Sequence, residues 1–205
     1  MGRVEEEVSV RLNLERALGV TTGYSSHAEL VWLANMAQTH RQIVEVGAWT
    51  GRTTLALADN TPGKVTAVDT WEGSTNGDLQ DILVREGKEW AWREFQRNTG
   101  GTRNLSRLRM ESTKAAKINR ALHNKFDMVF LDGSHDYDSV KADILAWLPT
   151  IVDGGLLCGH DHTDTRAHCA GVIKAVDEIF PDRHLMEPND GENSIWWKEI
   201  HWKVK

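Results

Sequence analysis

The feature that most constrains this chain is an alternation. Short, apolar, β-branched runs at residues 43–46, 65–68, 108–110, 128–131 and 156–158 are separated by longer stretches with helical character at 53–58, 79–97, 113–123 and 139–148. Strands that alternate with helices predict a mostly parallel sheet covered on both faces. A further helix over 170–180 ends at Pro181. Two last strand candidates, 183–187 and 194–200, flank a turn-rich segment at 188–193 and predict an antiparallel pair at one edge. Ahead of this pattern, residues 4–18 read as an acidic amphipathic helix stopped by Gly19. Ser26 and Glu29 have the spacing of a capping box that opens a second helix. The expectation is one domain over residues 1–205: N-terminal helices over 1–40 and a Rossmann-like core over 41–200, an α/β three-layer sandwich with seven strands.

Composition narrows the function. Lys and Arg number 24 against 30 Asp and Glu, a net charge of −6, and no basic stripe stands out, so nucleic acid is not an expected partner. The first ten residues hold three consecutive glutamates and no signal-peptide core. Glu6 stands where a myristoylation signal needs Ser or Thr. No apolar stretch approaches the roughly 18 residues of a membrane span. A soluble, cytoplasmic chain that binds no membrane is therefore expected. Cys158 and Cys169 cannot form a disulfide framework. Together with His160, His162 and His168 they lack a recognised zinc-finger spacing.

Polar and glycine residues gather where strands end. Glu45 and Gly47 close the first strand, Asp69 the second, Glu111 and Ser112 the third, Asp132 and Gly133 the fourth, and His160, Asp161 and His162 the fifth. Open α/β sheets bind ligands outside the carboxyl ends of their strands. In the first of these loops Gly47 permits a tight turn and close approach to a ligand, and Gly51 opens a helix whose free N–H groups can meet a polar group. The spacing is E-x-G-x-x-x-G-x-T. The dinucleotide fingerprint G-x-G-x-x-G is absent.

This loop resembles that of the class I S-adenosylmethionine-dependent methyltransferases. In that family it runs under the methionine portion of the cofactor, which the resemblance maps to Glu45, Gly47, Ala48, Thr50, Gly51 and Thr53. Asp69 follows at about the 20-residue distance at which a βαβ unit places its ribose-binding acid. The resemblance adds Thr70, then Trp71, Glu111 and Ser112 on the adenine side, and Asp132 and Gly133. Core packing is the competing expectation for Trp71. The segments Asp132-Gly133-Ser134-His135-Asp136-Tyr137 and Gly154-Gly155 through His160-Asp161 resemble a subfamily of small-molecule O-methyltransferases, and the similarity runs from about residue 25 to 197.

The resemblance implies methyl transfer to a small-molecule hydroxyl, of a sugar or a phenol. Asp132 and Asp161 would hold a divalent cation such as Mg²⁺ or Mn²⁺, with His160 or His162 completing the set. Related catechol-type enzymes carry Asn or an acid where this chain has His162. His135 would be the general base, with Asp132 beside it. Trp90, Trp92, Trp196 and Trp197 read as core or dimer contacts, so a homodimer stays open. The competing functions are a nicotinamide-dependent oxidoreductase on a similar fold and a non-catalytic cofactor-binding module.

Overall fold

A computed structural model describes residues 11–73, 78–123, 125–163, 166–187 and 194–202. It contains a seven-stranded sheet of order β3-β2-β1-β4-β5-β7-β6. The strands are β1 Gln42–Val46, β2 Lys64–Asp69, β3 Leu105–Arg109, β4 Phe126–Leu131, β5 Ile151–Gly159, β6 His184–Leu185 and β7 Trp196–Ile200. β1 to β5 run parallel, and β7 is antiparallel to both β5 and β6. The expected antiparallel strand thus lies one place in from the edge, with the two-residue β6 outside it. No helix among the described residues is long and apolar enough to cross a membrane.

The helices are α1 Glu15–Gly19, α2 His27–Thr39, α3 Arg52–Ala58, α4 Asp78–Glu86, α5 Trp90–Asn98, α6 Ser112–Ala121, α7 Tyr137–Trp147 and α8 Ala170–Ile179. The capping box forms as the sequence predicts: Ser26 Oγ accepts from Glu29 N at 3.1 Å, and a Glu29 oxygen accepts from Ser26 N at 2.9 Å. Two expectations need correction. The single helix over 79–97 is two, because Gly87 adopts φ +93° between α4 and α5. The third strand begins at Leu105 rather than 108; as an edge strand it alternates with polar Ser106 and Arg107, which hid it from a search for apolar runs. The expected turn at 188–193 and residues 4–10 of the expected 4–18 helix lie outside the described residues; of the remainder, 11–14 are not helical and α1 runs through Gly19.

Alternation along the central strands divides the core in two. Val44, Val46, Val129, Leu131 and Leu157 face one layer, with Ile144, Trp147, Val172 and Val176 of α7 and α8. Ile43, Met128, Phe130 and Cys158 face the other, with Leu33 of α2, Leu57 of α3 and Phe95 of α5. Strand order reverses at β1, whose neighbours are β2 and β4. The crevice of such a sheet opens between the ends of β1 and β4. That places Gly47 beside Asp132.

Candidate active site

The loop from β1 into α3 is built tightly. Gly47, Trp49 and Gly51 have φ of +86°, +43° and +91°. A Cβ on Gly47 would overlap the backbone of Asp132 and Gly133, which is why glycine is required where the two strand ends touch. Asp132 N donates to Val46 O at 2.8 Å and Gly47 N to Val68 O at 2.9 Å, so three strand ends are locked together. Gly51 opens α3 as its N-cap, as expected, and serves a packing contact as well. Its missing Cβ makes room for Thr99 and the Phe95 ring of the α5 region.

Asp69 governs the same loop. One of its oxygens accepts from Trp49 N at 2.8 Å, the other from Trp71 N at 2.7 Å. Burial pushes its pKa up, and these backbone donors oppose that rise. Trp49 and Trp71 are both non-glycine residues at positive φ, and such conformations persist only where surrounding bonds impose them. Glu45 is fully buried beneath the loop, its carboxyl bonded by the hydroxyls of Thr53 and Thr54. Burial pushes its pKa up to about 8.

A cavity of about 620 Å³ opens over these elements. Gly47, Ala48, Thr50, Thr53, Asp132, Gly133, His135, His160 and Asp161 from the sequence-based set line it. Trp49, Tyr24, Ser25, Arg166 and His168 line it as well and were not anticipated. The 22–25 segment reaches the wall because Arg52 binds the carbonyls of Val20 at 2.6 Å and Ser25 at 3.1 Å, while Thr22 Oγ1 donates to Thr50 Oγ1 at 2.9 Å.

The other expected residues lie elsewhere. Trp71 is completely buried, its ring 4.5 Å from that of Trp92 and 4.8 Å from Phe95, and its indole N–H donates to Trp49 O at 2.7 Å. It is a core residue and offers no face to an adenine. Thr70 O accepts from Arg109 at 3.3 Å, Glu111 is exposed at the start of α6, and Ser112 Oγ accepts from Trp147 Nε1 at 2.9 Å. None of these three lines the cavity.

The far end of the cavity carries the charged groups. His135 Nε2 lies 2.9 Å from Asp161 Oδ2. The Asp161 hydrogen bond raises the His135 pKa more than burial lowers it. Burial alone would raise Asp161, but the His135 and His160 hydrogen bonds outweigh it and hold the carboxyl well below the usual range. Arg166 adds a contact at 3.1 Å to the other Asp161 oxygen. Asp132 has weaker compensation, with His160 Nδ1 at 3.5 Å, and burial raises its pKa.

Which residues could hold a cation also differs from expectation. His162 does not join the carboxylates: its Nε2 pairs with Asp177 of α8 at 2.8 Å. The physical reason is Asp161, whose φ of +62° breaks the strand alternation that would put residues 160 and 162 on one side. His160 spends Nε2 on Glu29 at 2.9 Å. Two sets among the described residues bring their ligand atoms within 4.8 Å of one another: Asp161, His168 and Cys169, and Asp132, His135 and Asp161. The second, two carboxylates and an imidazole, is the donor set that suits a hard divalent cation.

Comparison with known proteins identifies the family and the fold. Residues 44–162 match the family model of a methyltransferase domain. The protein y4gI of Sinorhizobium fredii is 29% identical over 184 residues, covering 83% of this chain and 18% of that protein, so the chain spans less than a fifth of its relative. Among solved structures, an O-methyltransferase from Bacillus cereus in complex with S-adenosylhomocysteine is 16% identical with a TM-score of 0.60 over 94% of each chain. The TDP-rhamnose 3'-O-methyltransferase CalS11 of calicheamicin biosynthesis is 12% identical, with a TM-score of 0.57 over 84% of this chain and 77% of that one. At these identities the two structures establish the shared fold.

Proposed function

The chain belongs to the methyltransferase-domain family, and from that premise we propose that it transfers a methyl group from S-adenosylmethionine to a hydroxyl of a small molecule. Family membership sets aside the nicotinamide-dependent alternative. The observation that carries the oxygen-directed reading is the His135–Asp161 pair, 2.9 Å apart at the cavity wall and on the same side as the Gly47 loop. A hydroxyl becomes a competent nucleophile only as it loses its proton, and an imidazole held by a carboxylate is suited to take it.

The cavity has the size of a small-molecule site, and the loop of Gly47, Ala48, Thr50 and Thr53 forms the wall assigned to the cofactor. When bound, S-adenosylmethionine supplies an electrophilic methyl on a sulfonium. The rest falls to the chain. Asp161 bonds His135 Nε2, which leaves Nδ1 as the nitrogen that faces an acceptor. His135 takes the hydroxyl proton, and Asp161 steadies the resulting imidazolium. Asp69 fixes the loop through Trp49 and Trp71 and so fixes the distance between the two reactants.

The clustering of ligand atoms from Asp132, His135 and Asp161 favours a second reading, in which these residues hold Mg²⁺ or Mn²⁺. Such an ion would acidify a bound hydroxyl. The two readings exclude each other at His135, since a nitrogen lone pair committed to a metal cannot take a proton. A sugar hydroxyl is the favoured acceptor, because the CalS11 neighbour acts on TDP-rhamnose and shares this fold. The test is calorimetric titration with S-adenosylhomocysteine, followed by label transfer from S-adenosylmethionine to nucleotide-sugar and phenolic acceptors. Lack of cofactor binding would end the proposal. Transfer confined to phenols would move the acceptor class.

A further inference from the structure

Glu29 belongs to α2, yet its side chain is completely buried against the strand ends on the other side of the loop. Helix capping accounts for one oxygen only, the one that accepts from Ser26 N at 2.9 Å. The other oxygen accepts from Ser194 N at 2.8 Å and lies 2.9 Å from His160 Nε2. The opposite edge of the His160 ring faces the cavity carboxylates, with Nδ1 at 3.3 Å from Asp161 Oδ2 and 3.5 Å from Asp132 Oδ1. A helix cap needs no imidazole, and a core histidine needs one partner rather than three carboxylates.

We propose that Glu29 is a positioning residue for methyl transfer: by accepting from His160 Nε2 it aims the Nδ1 edge at the gap between Asp132 and Asp161 and so holds both carboxylates toward the cavity. This rests on the reading of that cavity as the methyl-transfer site. Ring orientation is the quantity at stake. An imidazole pinned at one nitrogen can turn only about the line through that bond. Released from Glu29, it can swing away from both acids. Asp132 then loses the His160 Nδ1 contact, and Asp161 keeps His135 and Arg166 but loses the link to Asp132. Ser194 reinforces the arrangement, since its hydroxyl accepts from Asp161 N at 3.2 Å while its own N–H is held by Glu29.

Four variants separate this role from capping. Ser26→Ala removes the cap and leaves the His160 contact. Glu29→Gln also loses the cap, because an amide NH₂ cannot accept from Ser26 N, but keeps an oxygen toward His160. Glu29→Met keeps the volume and removes both carboxylate oxygens, leaving His160 Nε2 only the Ser194 hydroxyl at 3.4 Å, and Glu29→Asp keeps the charge one methylene short. Stability should fall in both Ser26→Ala and Glu29→Gln, and further in Glu29→Gln, which also removes the buried charge beside His160, with kcat in both within about threefold of the parent. In Glu29→Met and Glu29→Asp kcat should fall by about 10²-fold, the scale of an ångström-level misplacement, while S-adenosylhomocysteine affinity stays within about twofold. Histidine-selective ¹⁵N NMR should show a protected His160 Nε2–H in the parent and in Glu29→Gln, and its loss in Glu29→Asp and Glu29→Met. A kcat for Glu29→Asp or Glu29→Met within threefold of Ser26→Ala overturns the proposal. So does a protected Nε2–H that survives Glu29→Met or Glu29→Asp. Should the parent fail to bind S-adenosylhomocysteine, the methyl-transfer reading fails, and the NMR comparison still decides whether Glu29 holds His160.

Discussion

His135 Nε2 and Asp161 Oδ2 stand 2.9 Å apart and join the loop after β4 to the loop after β5 in the wall of the cavity. Neither residue is near the other in sequence. The parallel pairing of β4 with β5, which sets Leu131 opposite Gly159, brings both loops out at the same end. The pairing makes the imidazole a stronger base and also sets the pH range in which it can act.

That range gives the first prediction. Asp161 raises the His135 pKa, because the ion pair is present only while the ring is protonated. The stabilisation is thus complete below about 6.5, the ordinary value, and is lost as pH rises through the raised folded value. Catalysis needs the neutral ring, so kcat should rise along a limb centred above pH 6.5. Asp161→Asn should move that limb down toward 6.5 and lower its plateau. His135→Ala should cost about 10²–10⁴-fold. A pH profile of kcat that is unchanged in Asp161→Asn would remove the pair from the mechanism.

Chelation separates the two readings of the Asp132, His135 and Asp161 cluster. The expected result is that methyl transfer persists after exhaustive treatment with EDTA, because the surrounding carboxylates outweigh burial and hold the His160 pKa well above its ordinary value, which favours a positive ring beside both acids. Loss of activity that Mn²⁺ or Mg²⁺ restores, with Asp132→Asn unable to respond, would select the cation-bound arrangement instead.

Asp69 is predicted to act through backbone geometry. Replacing it with Ala strands the N–H groups of Trp49 and Trp71, at about 1.5–3 kcal/mol for each bond to a charged acceptor. Both tryptophans then lose the restraint that keeps them at positive φ. Chemical denaturation should show a loss of roughly 3–6 kcal/mol, and S-adenosylhomocysteine should bind more weakly in the fraction that folds. Full stability with weakened binding would mean that Asp69 contacts ligand alone.

Gly47→Ala tests the contact between strand ends. The new methyl group meets the Asp132 carbonyl and Gly133 N, and φ of +86° is strained for any residue with a side chain. Strain and overpacking together should cost roughly 2–6 kcal/mol. Gly51→Ala carries similar strain at φ +91° but meets the side chains of Thr99 and Phe95 rather than backbone, and should cost less. Equal losses at the two positions, read from urea midpoints, would contradict this account.

How much of this was legible in the sequence depended on the range of the interactions. The Gly47 loop, Asp69 and the Asp132–His135 segment announce themselves through residues close in sequence, and their strands read as apolar runs. Trp71 was not decidable locally. An aromatic after a strand can turn outward or inward, and what draws Trp71 inward is Trp92 and Phe95 on a helix that only the fold brings near. His162 misled because alternation was assumed to continue through Asp161, where φ turns positive. Glu29 was visible only as half of a capping box. The local motif explained it so well that nothing pointed to His160.

Glu45 carries the last prediction, a pH dependence of stability. Its carboxyl is fully buried, and burial raises its pKa to about 8, against an ordinary value of 4.5. Below pH 4.5 both folded and unfolded chains hold the proton, and Glu45 contributes no slope. Between 4.5 and about 8 the unfolded chain releases it while the folded chain keeps it, so folding takes up a proton and stability falls as pH rises. Above that window both states are ionised and the slope ends, with a total loss on the order of a few kcal/mol. Glu45→Gln cannot ionise, and its amide can accept from one threonine hydroxyl while donating to the other. The variant should match the parent near pH 5 and exceed it at pH 8.5. Urea denaturation at pH 5, 7 and 8.5 measures the difference directly. If the parent and Glu45→Gln lose stability in parallel over that interval, the titration belongs to other groups, and Glu45 is ionised in the folded chain at neutral pH.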